Sequence, residues 1–393
     1  MPGINDEKNL TEFQKTPSVL QIAHGKIIPN YSSAYSIRCH TLINKLNRKL
    51  ISTAGAIFRD EKDAYSEQYR SILLTVWSFI KGSRSLEIYI SQGKHLRKRY
   101  VKRLKELVVS SDIIIFEGPW QHPLVKDLLD NKLIIYDAHN VEYLLRRGNK
   151  YAEDCKKIEG DLLKCSFLIL SVAKKDITNF VEIYGTELSK FRHAPLGISV
   201  PRKQWEGKLS NSIVFIGSLY SPNNDALNRI IELADHYPAF TFEIIGSVRP
   251  TKGSKLKNIV YHGVVDENRK DEIMSRCFLA LNPVTEGSGR NLKMVDYLAH
   301  GLPVLSTPIG VRGFEEFSIT DSIIVSELGQ FGSNIGKLSE NREKVEQMSK
   351  NSRILYEKIS NTENAIDPDE IIMQAFYDFK NLQSRTGTSA EKK

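Results

Sequence analysis

Residues Asn282–Gly313 read NPVTEGSGRNLKMVDYLAHGLPVLSTPIGVRG. The apolar run Phe278–Asn282 leads into Glu286 and then the turn Gly287-Ser288-Gly289. A helical pattern follows from about Leu292, and Gly301 and Pro303 close it before a second short run, Pro303–Ser306. Strand, glycine turn, helix and strand make a βαβ unit. The glycines let backbone approach a ligand closely, and the helix start offers free N–H donors for an anion. Leu292, Val295, Leu298 and Ala299 form the predicted buried face; Lys293, Asp296 and His300 share another, which can look into a cleft. Neither a P-loop nor a dinucleotide fingerprint is present in this turn.

The same alternation extends outward in both directions. Strands are predicted at Ser18–Ala23, Leu86–Ile90, Asp112–Phe116, Leu133–Tyr136 and Phe167–Ser171 in the first half. In the second half they fall at Ser212–Ile216, Thr241–Ile245, Ile259–Tyr261, Phe278–Asn282, Pro303–Ser306 and Ser322–Val325. Several are apolar throughout, as expected of parallel strands covered on both faces. Helices are predicted at Arg38–Lys49, Lys94–Val109, Asp154–Lys164, Lys174–Tyr184, Ala226–His236 and Asn268–Arg276. The pattern predicts an α/β protein of two doubly wound parallel-sheet domains facing a cleft, with ligand at the carboxyl ends of the strands. The expected boundaries are 1–196, a linker at 197–211, and a second domain at 212–366. A C-terminal helix at 367–383 packs back on the first domain, and 384–393 is a disordered tail.

Composition limits the function classes. The chain has 393 residues, 41% hydrophobic and 26% charged, which is ordinary for a globular protein. Its longest apolar stretch, Ser71–Ile80, is about half of the ~20 residues a membrane span needs. The start, Met1–Lys8, is polar and predicts no secretory signal. Cys39, Cys155, Cys165 and Cys277 form no Cys-x-x-Cys pair, so neither zinc ribbon nor disulfide scaffold is expected and a reduced, cytoplasmic setting is. Residues 1–200 hold 31 Lys and Arg against 22 Asp and Glu; residues 201–393 hold 24 against 25. The whole surplus thus belongs to the first half. It peaks in Lys94–Lys105, an amphipathic pattern with Leu96, Tyr100 and Leu104 on its apolar side. Such a helix either packs as an ordinary solvated face or also meets an anionic membrane surface. No nucleic-acid-binding signature accompanies the charge.

The 282–313 segment resembles the donor-binding signature of family 4 glycosyltransferases, the retaining class with the two-domain GT-B fold. Phe215–Asn223 looks like that family's first donor-domain strand and loop, and Asp137-Ala138-His139-Asn140-Val141-Glu142 like an Asp-x-His-Asn-x-Glu element of the acceptor domain. Ile259–Gly263 is similar to its base-contacting strand and turn, and the resemblance runs over roughly residues 18–380. It implies that Glu286 sits beside the donor sugar, that Asp296 binds the ribose, and that His139 approaches the transferred sugar from across the cleft. Lys293 and Arg290, with the backbone of Gly287, Ser288 and Gly289, would stabilise the departing diphosphate. Gly217, Ser218, His262 and Gly263 would bind the nucleotide, and Gly25 would contact donor or acceptor. The implied partners are a nucleotide-sugar donor and a glycan or lipid-linked acceptor. The favoured chemistry is front-face transfer with retention and without a metal or other cofactor. A cell-envelope or exopolysaccharide role on the cytoplasmic face goes with it.

Two features depart from the family pattern. Glu286 and Asp296 stand ten residues apart, wider than the family spacing, and Ser288 lies eight before Asp296. Either the loop is longer, or Glu286 is not the first acid. The loop after Gly217 also lacks the family's Arg and Lys, leaving Arg249 or Lys293 as substitutes. These departures support a second reading, a non-catalytic GT-B subunit that binds glycan or scaffolds a partner. Asp367-Pro368-Asp369 superficially matches a metal motif but reads as a helix N-cap.

Overall fold

The computed structural model describes residues 16–25, 27, 34–41, 48–54, 61–62, 64–81, 86–195, 205, 210–219, 221–250, 256–287 and 290–390. The first domain is built on β1 (Val19–His24), β2 (Arg48–Ala54), β3 (Glu61–Lys62), β4 (Ser66–Arg70), β5 (Ile113–Phe116), β6 (Leu133–Ala138), β7 (Leu168–Ser171) and β8 (Phe191–His193). Their order is β3-β4-β2-β1-β5-β6-β7-β8, parallel except for β3 at the edge. The second domain holds β9 (Ser212–Ile216), β10 (Thr241–Ile245), β11 (Ile259–Gly263), β12 (Leu279–Asn282), β13 (Val304–Ser306) and β14 (Ile323–Val325). These lie in the order β11-β10-β9-β12-β13-β14, all parallel.

Both orders reverse direction once, between β1 and β5 and between β9 and β12. At such a switch point the loops leave to opposite sides and open a crevice beyond the strand ends. The strands there are buried on both faces, as Ile113–Phe116 and Leu279–Asn282 show. That is why they read as unbroken apolar runs.

Several expectations are corrected. Leu86–Ile90 is not a strand but part of a helix, Leu86–Ser91, whose Ile88 and Ile90 pack beside Leu74, Trp120 and Cys155. The expected helix Arg38–Lys49 is instead a helix Ala34–Thr41, and by Arg48 the chain is already in β2. The basic helix starts at Lys98 rather than Lys94. The strand β4, between β3 and β2, is polar and was not expected. The last helix runs from Pro368 to Ala390, past the expected tail boundary at Ser384. It lays Ile372 and Ala375 against Val19, Ile113, Leu133 and Leu168 of the first sheet. Most of 197–211 lies outside the described residues; Trp205 is buried in the second core and donates its N–H to the His300 carbonyl at 2.9 Å.

Tyr297 ties the second domain's site helix to its sheet. Its hydroxyl accepts from the Ile216 N–H at 2.9 Å and donates to the Leu281 carbonyl at 3.2 Å, at the carboxyl ends of β9 and β12. Removing it strands a buried donor and acceptor together. Tyr297→Phe is expected to cost about 1–3 kcal/mol in urea denaturation; an unchanged midpoint would show that these groups find other partners.

Candidate functional site

The carboxyl ends of the two sheets face each other across a cavity of 470 Å³. The second domain contributes Gly217, Ser218, Asn223, Glu286, Arg290, Lys293, Asp296 and Arg312; the first contributes Tyr35, Arg38 and His139. A smaller extension of 450 Å³ shares Glu286 and Arg312 and adds Gly287.

On the second-domain side the loop after β9 is shaped by backbone crowding. Gly246 has φ +106°, and a Cβ there would lie 2.2 Å from the Gly217 carbonyl oxygen, so no side chain fits. Gly217 N–H donates to the Ile245 carbonyl and its own carbonyl accepts from the Val248 N–H. Asn223, at the start of helix Ser221–His236, donates to the Ser218 carbonyl at 3.1 Å. Its Oδ1 accepts from Lys293 Nζ at 2.7 Å. Lys293 also lies over the Phe215 ring at 4.5 Å. Burial, with the Arg312 guanidinium as a second cause, pushes the Lys293 ammonium down to about 7. The helix Lys293–Ala299 thus holds a cation with almost no compensating charge nearby.

Other predicted residues meet different partners. Arg290 turns away into a buried ion pair with Glu363 and stacks on Phe314 at 4.5 Å. Among the described residues its guanidinium Nε and Nη2 have no hydrogen-bond partner, although the side chain still lines the cavity. Asp296 reaches the cavity wall but is paired with Lys270 at 3.1 Å. His300, expected on the cleft face, is buried and bonded to Asp271 at 2.9 Å. His262 meets Glu243 at 2.6 Å. Arg249 and Gly263 line a separate cavity of 460 Å³ with Tyr261 and Val264, beyond the Gly217–Gly246 contact. Gly25 follows β1 with φ +79° and is not among the cavity-lining residues. Ser288 and Gly289 lie outside the described residues. Glu286 is exposed at the cavity wall. Asp367 accepts the Asp369 N–H at 3.0 Å where the last helix begins.

The first-domain side is a buried polar network. His139 Nε2 meets Glu117 Oε2 at 2.8 Å, and its ring lies 4.7 Å from that of Tyr35. Glu117 also accepts from the Gln21 amide and, at 3.4 Å, from the Cys39 thiol. Burial, then the Asp137 charge, raises the Glu117 carboxyl above its ordinary range. Burial works the same way on Asp137, but the Arg38 guanidinium outweighs it and holds that carboxyl low. Arg38 forks onto Asp137 at 2.9 and 2.8 Å and donates to the Pro195 carbonyl at 3.0 Å. Cys39, Glu117 and His139 offer ligand atoms within 4.8 Å of one another, a geometry a metal could use. Burial and the Glu117 charge push the Cys39 thiol well up, so without an ion it acts as a protonated donor to Glu117. The set reads as the hydrogen-bonded floor beneath His139.

Arg312, Asn223, Tyr35, Arg38 and Glu117 carry the site and were not singled out from sequence. Arg312 stands in the quoted segment, as Val311-Arg312-Gly313, and only the fold brings it beside Gly287, where a Cβ would lie 2.7 Å from its guanidinium.

Residues 210–341 match the family model Glycosyl transferases group 1. The match covers most of the second domain. Solved structures align along nearly the whole chain. Anabaena HepE in complex with UDP covers 95% of this chain and 100% of its own, at 11% identity and TM-score 0.62. Sucrose-phosphate synthase from Thermosynechococcus elongatus covers 95% and 100%, at 10% identity and TM-score 0.64. WaaG, a glycosyltransferase involved in lipopolysaccharide biosynthesis, covers 88% and 99%, at 14% identity and TM-score 0.62. Such distant likeness shows the fold, which is GT-B. No curated protein sequence matches this chain.

The Arg38–Asp137 pair supplies the test of this floor. Arg38→Met leaves a buried carboxylate unpaired and is expected to cost about 3–5 kcal/mol in denaturant melts, with Arg38→Met/Asp137→Asn recovering part of it. A double variant no more stable than the single one would refute the pairing as the cause.

Proposed function

We propose that the chain transfers a sugar from a nucleotide-sugar donor, of UDP or GDP type, to a glycan or lipid-linked acceptor. The observation that carries this reading is the single cavity over both switch points, with two cations and a helix start on one wall and His139 on the other. The glycosyl transferases group 1 match over the domain bearing those cations supports it. So do the GT-B relatives whose structures hold UDP and UDP-glucose.

In this reading the diphosphate lies against Gly217, Ser218 and the start of helix Ser221–His236. Lys293 and Arg312 face the negative charge that grows on it as the glycosidic bond breaks, and they need no rearrangement to do so. Arg312 takes the place first given to Arg290, whose charge is spent on Glu363. Glu286 and His139 flank the sugar, Glu117 fixing the imidazole from behind. Asp296, with Lys270, approaches the ribose, and Arg249, Tyr261 and Gly263 offer a recess for the base. If the acceptor oxygen attacks the anomeric carbon from the face that the diphosphate leaves, and the leaving phosphate takes the acceptor's proton, configuration is retained with no pair of facing carboxylates of the glycosidase kind and no metal. The setting is cell-envelope or exopolysaccharide synthesis on the cytoplasmic face, with Lys94–Lys105 meeting anionic membrane. The diversion of Arg290 into Glu363 favours a second reading, a donor-binding GT-B subunit without turnover.

Nucleotide binding should be linked to Lys293. A diphosphate beside it favours the charged form and raises its pKa from about 7, so affinity falls as pH rises through that value. Calorimetry of UDP near pH 8, in buffers of different ionisation enthalpy, is expected to show proton uptake that Lys293→Met abolishes. No thermal stabilisation by any UDP or GDP nucleotide would overturn the donor reading. Binding without donor hydrolysis or transfer would select the non-catalytic one.

A further inference from the structure

The helix Ile72–Lys81 is seated in its domain by Leu74 and Ser78, which are buried. The opposite face carries Ile72, Leu73, Val76, Phe79 and Ile80, a single stripe at helical spacing, and every one of them is exposed. Phe79 is 90% exposed and Leu73 66%. A soluble surface rarely leaves five large apolar side chains together without a use for them.

The charge around the stripe identifies what it meets. Between Glu67 and Glu87 the sequence has no acid and three basic residues, Arg70, Lys81 and Arg84. Lys81 lies over the Trp77 ring at 5.6 Å, and Trp77 packs on His95 at 4.9 Å, which joins this helix to the basic run. Arg103 of that run crosses to Glu67 in β4, the strand that leads directly into Ile72–Lys81. Lys94, Arg97, Lys98, Arg99, Lys102 and Lys105 are exposed beside it. Two such flanks repel each other, which disfavours a second copy as the occupant, while an anionic bilayer complements both the apolar stripe and its basic border.

We infer that Ile72–Lys81 is an interfacial helix that buries Ile72, Leu73, Val76, Phe79 and Ile80 in an anionic membrane, with the Lys94–Lys105 cations on the headgroups. Apolar insertion and basic attraction are the two signals that stable peripheral anchoring takes. No described helix is long and apolar enough to cross a membrane, so the attachment lies in the interface plane. Because β4 runs parallel to β2 and β1, its end at Arg70 is on the cleft side of the sheet, and the helix begins at that rim. Resting on the transfer reading above, this placement favours a lipid-linked acceptor presented from the bilayer.

Flotation of the full chain with phosphatidylcholine vesicles, with and without one-third phosphatidylglycerol, tests the inference. Binding is expected only to the anionic vesicles. Leu73→Ser/Phe79→Ser is expected to weaken it by about tenfold or more while leaving the thermal melt unchanged, because both side chains are outside the core. Lys98→Gln/Lys102→Gln should weaken it at low salt, with the difference from wild type shrinking as salt rises. Environment-sensitive dye at Phe79→Cys, in a Cys165→Ser background, should shift to an apolar emission on vesicle addition. No flotation of the wild type, binding insensitive to the Ser variant, or a dimer that the Ser variant dissolves would each overturn the inference. UDP affinity measured on the same variants separates its failure from failure of the donor reading.

Discussion

The buried fork between Arg38 and Asp137 is the constraint on which the cleft depends. It closes at 2.8–2.9 Å where water is absent, joining a helix before β2 to the end of β6, 99 residues apart. The third contact of Arg38, on the Pro195 carbonyl, adds the place where the chain leaves the first domain. A charge pair so enclosed contributes little net energy against an apolar substitute, yet either partner alone would be costly. Its effect is therefore on geometry. With Asp137 neutralised, Glu117 can remain beside it, and Glu117 in turn holds His139 at the cavity wall.

The donor wall is organised by a different means, close backbone contact rather than charge pairing. Gly246 lets the β10 loop touch the Gly217 carbonyl, and Asn223 joins the β9 loop at Ser218 to Lys293. Among the described residues Lys293 has no carboxylate partner, whereas Arg290, three residues earlier, is given one in Glu363. A paired cation has already spent its field; an unpaired, desolvated one presents it to whatever anion enters. That contrast separates a structural cation from a binding one more sharply than their nearness in sequence suggests.

The central strands were legible because their signal is local. Ile113-Ile114-Ile115-Phe116 admits few readings other than a covered parallel strand. Leu86-Glu87-Ile88-Tyr89-Ile90 alternates like a strand but is a helix, since a run that short satisfies either period and packing on Leu74 and Trp120 decides. The polar strand β4 carried no apolar alternation at all. At the site, the glycine turn, Lys293 and Glu286 could be found from spacing along one segment. Arg312, Arg38 and the diversion of Arg290 could not, because their meaning lies in partners up to 157 residues away.

The charge asymmetry gains a physical meaning from this division. The surplus of the first half does not converge on the cleft, where the first domain offers a neutralised Arg38 and an imidazole. It lies instead on the flank of the basic helix, next to the helix Ile72–Lys81, whose apolar face is turned outward. Cations that steer a chain to an anionic surface must stay solvated and unpaired at long range, whereas cations that stabilise a leaving diphosphate must be few, fixed and partly desolvated. The two demands conflict within one site, and the fold separates them onto different domains.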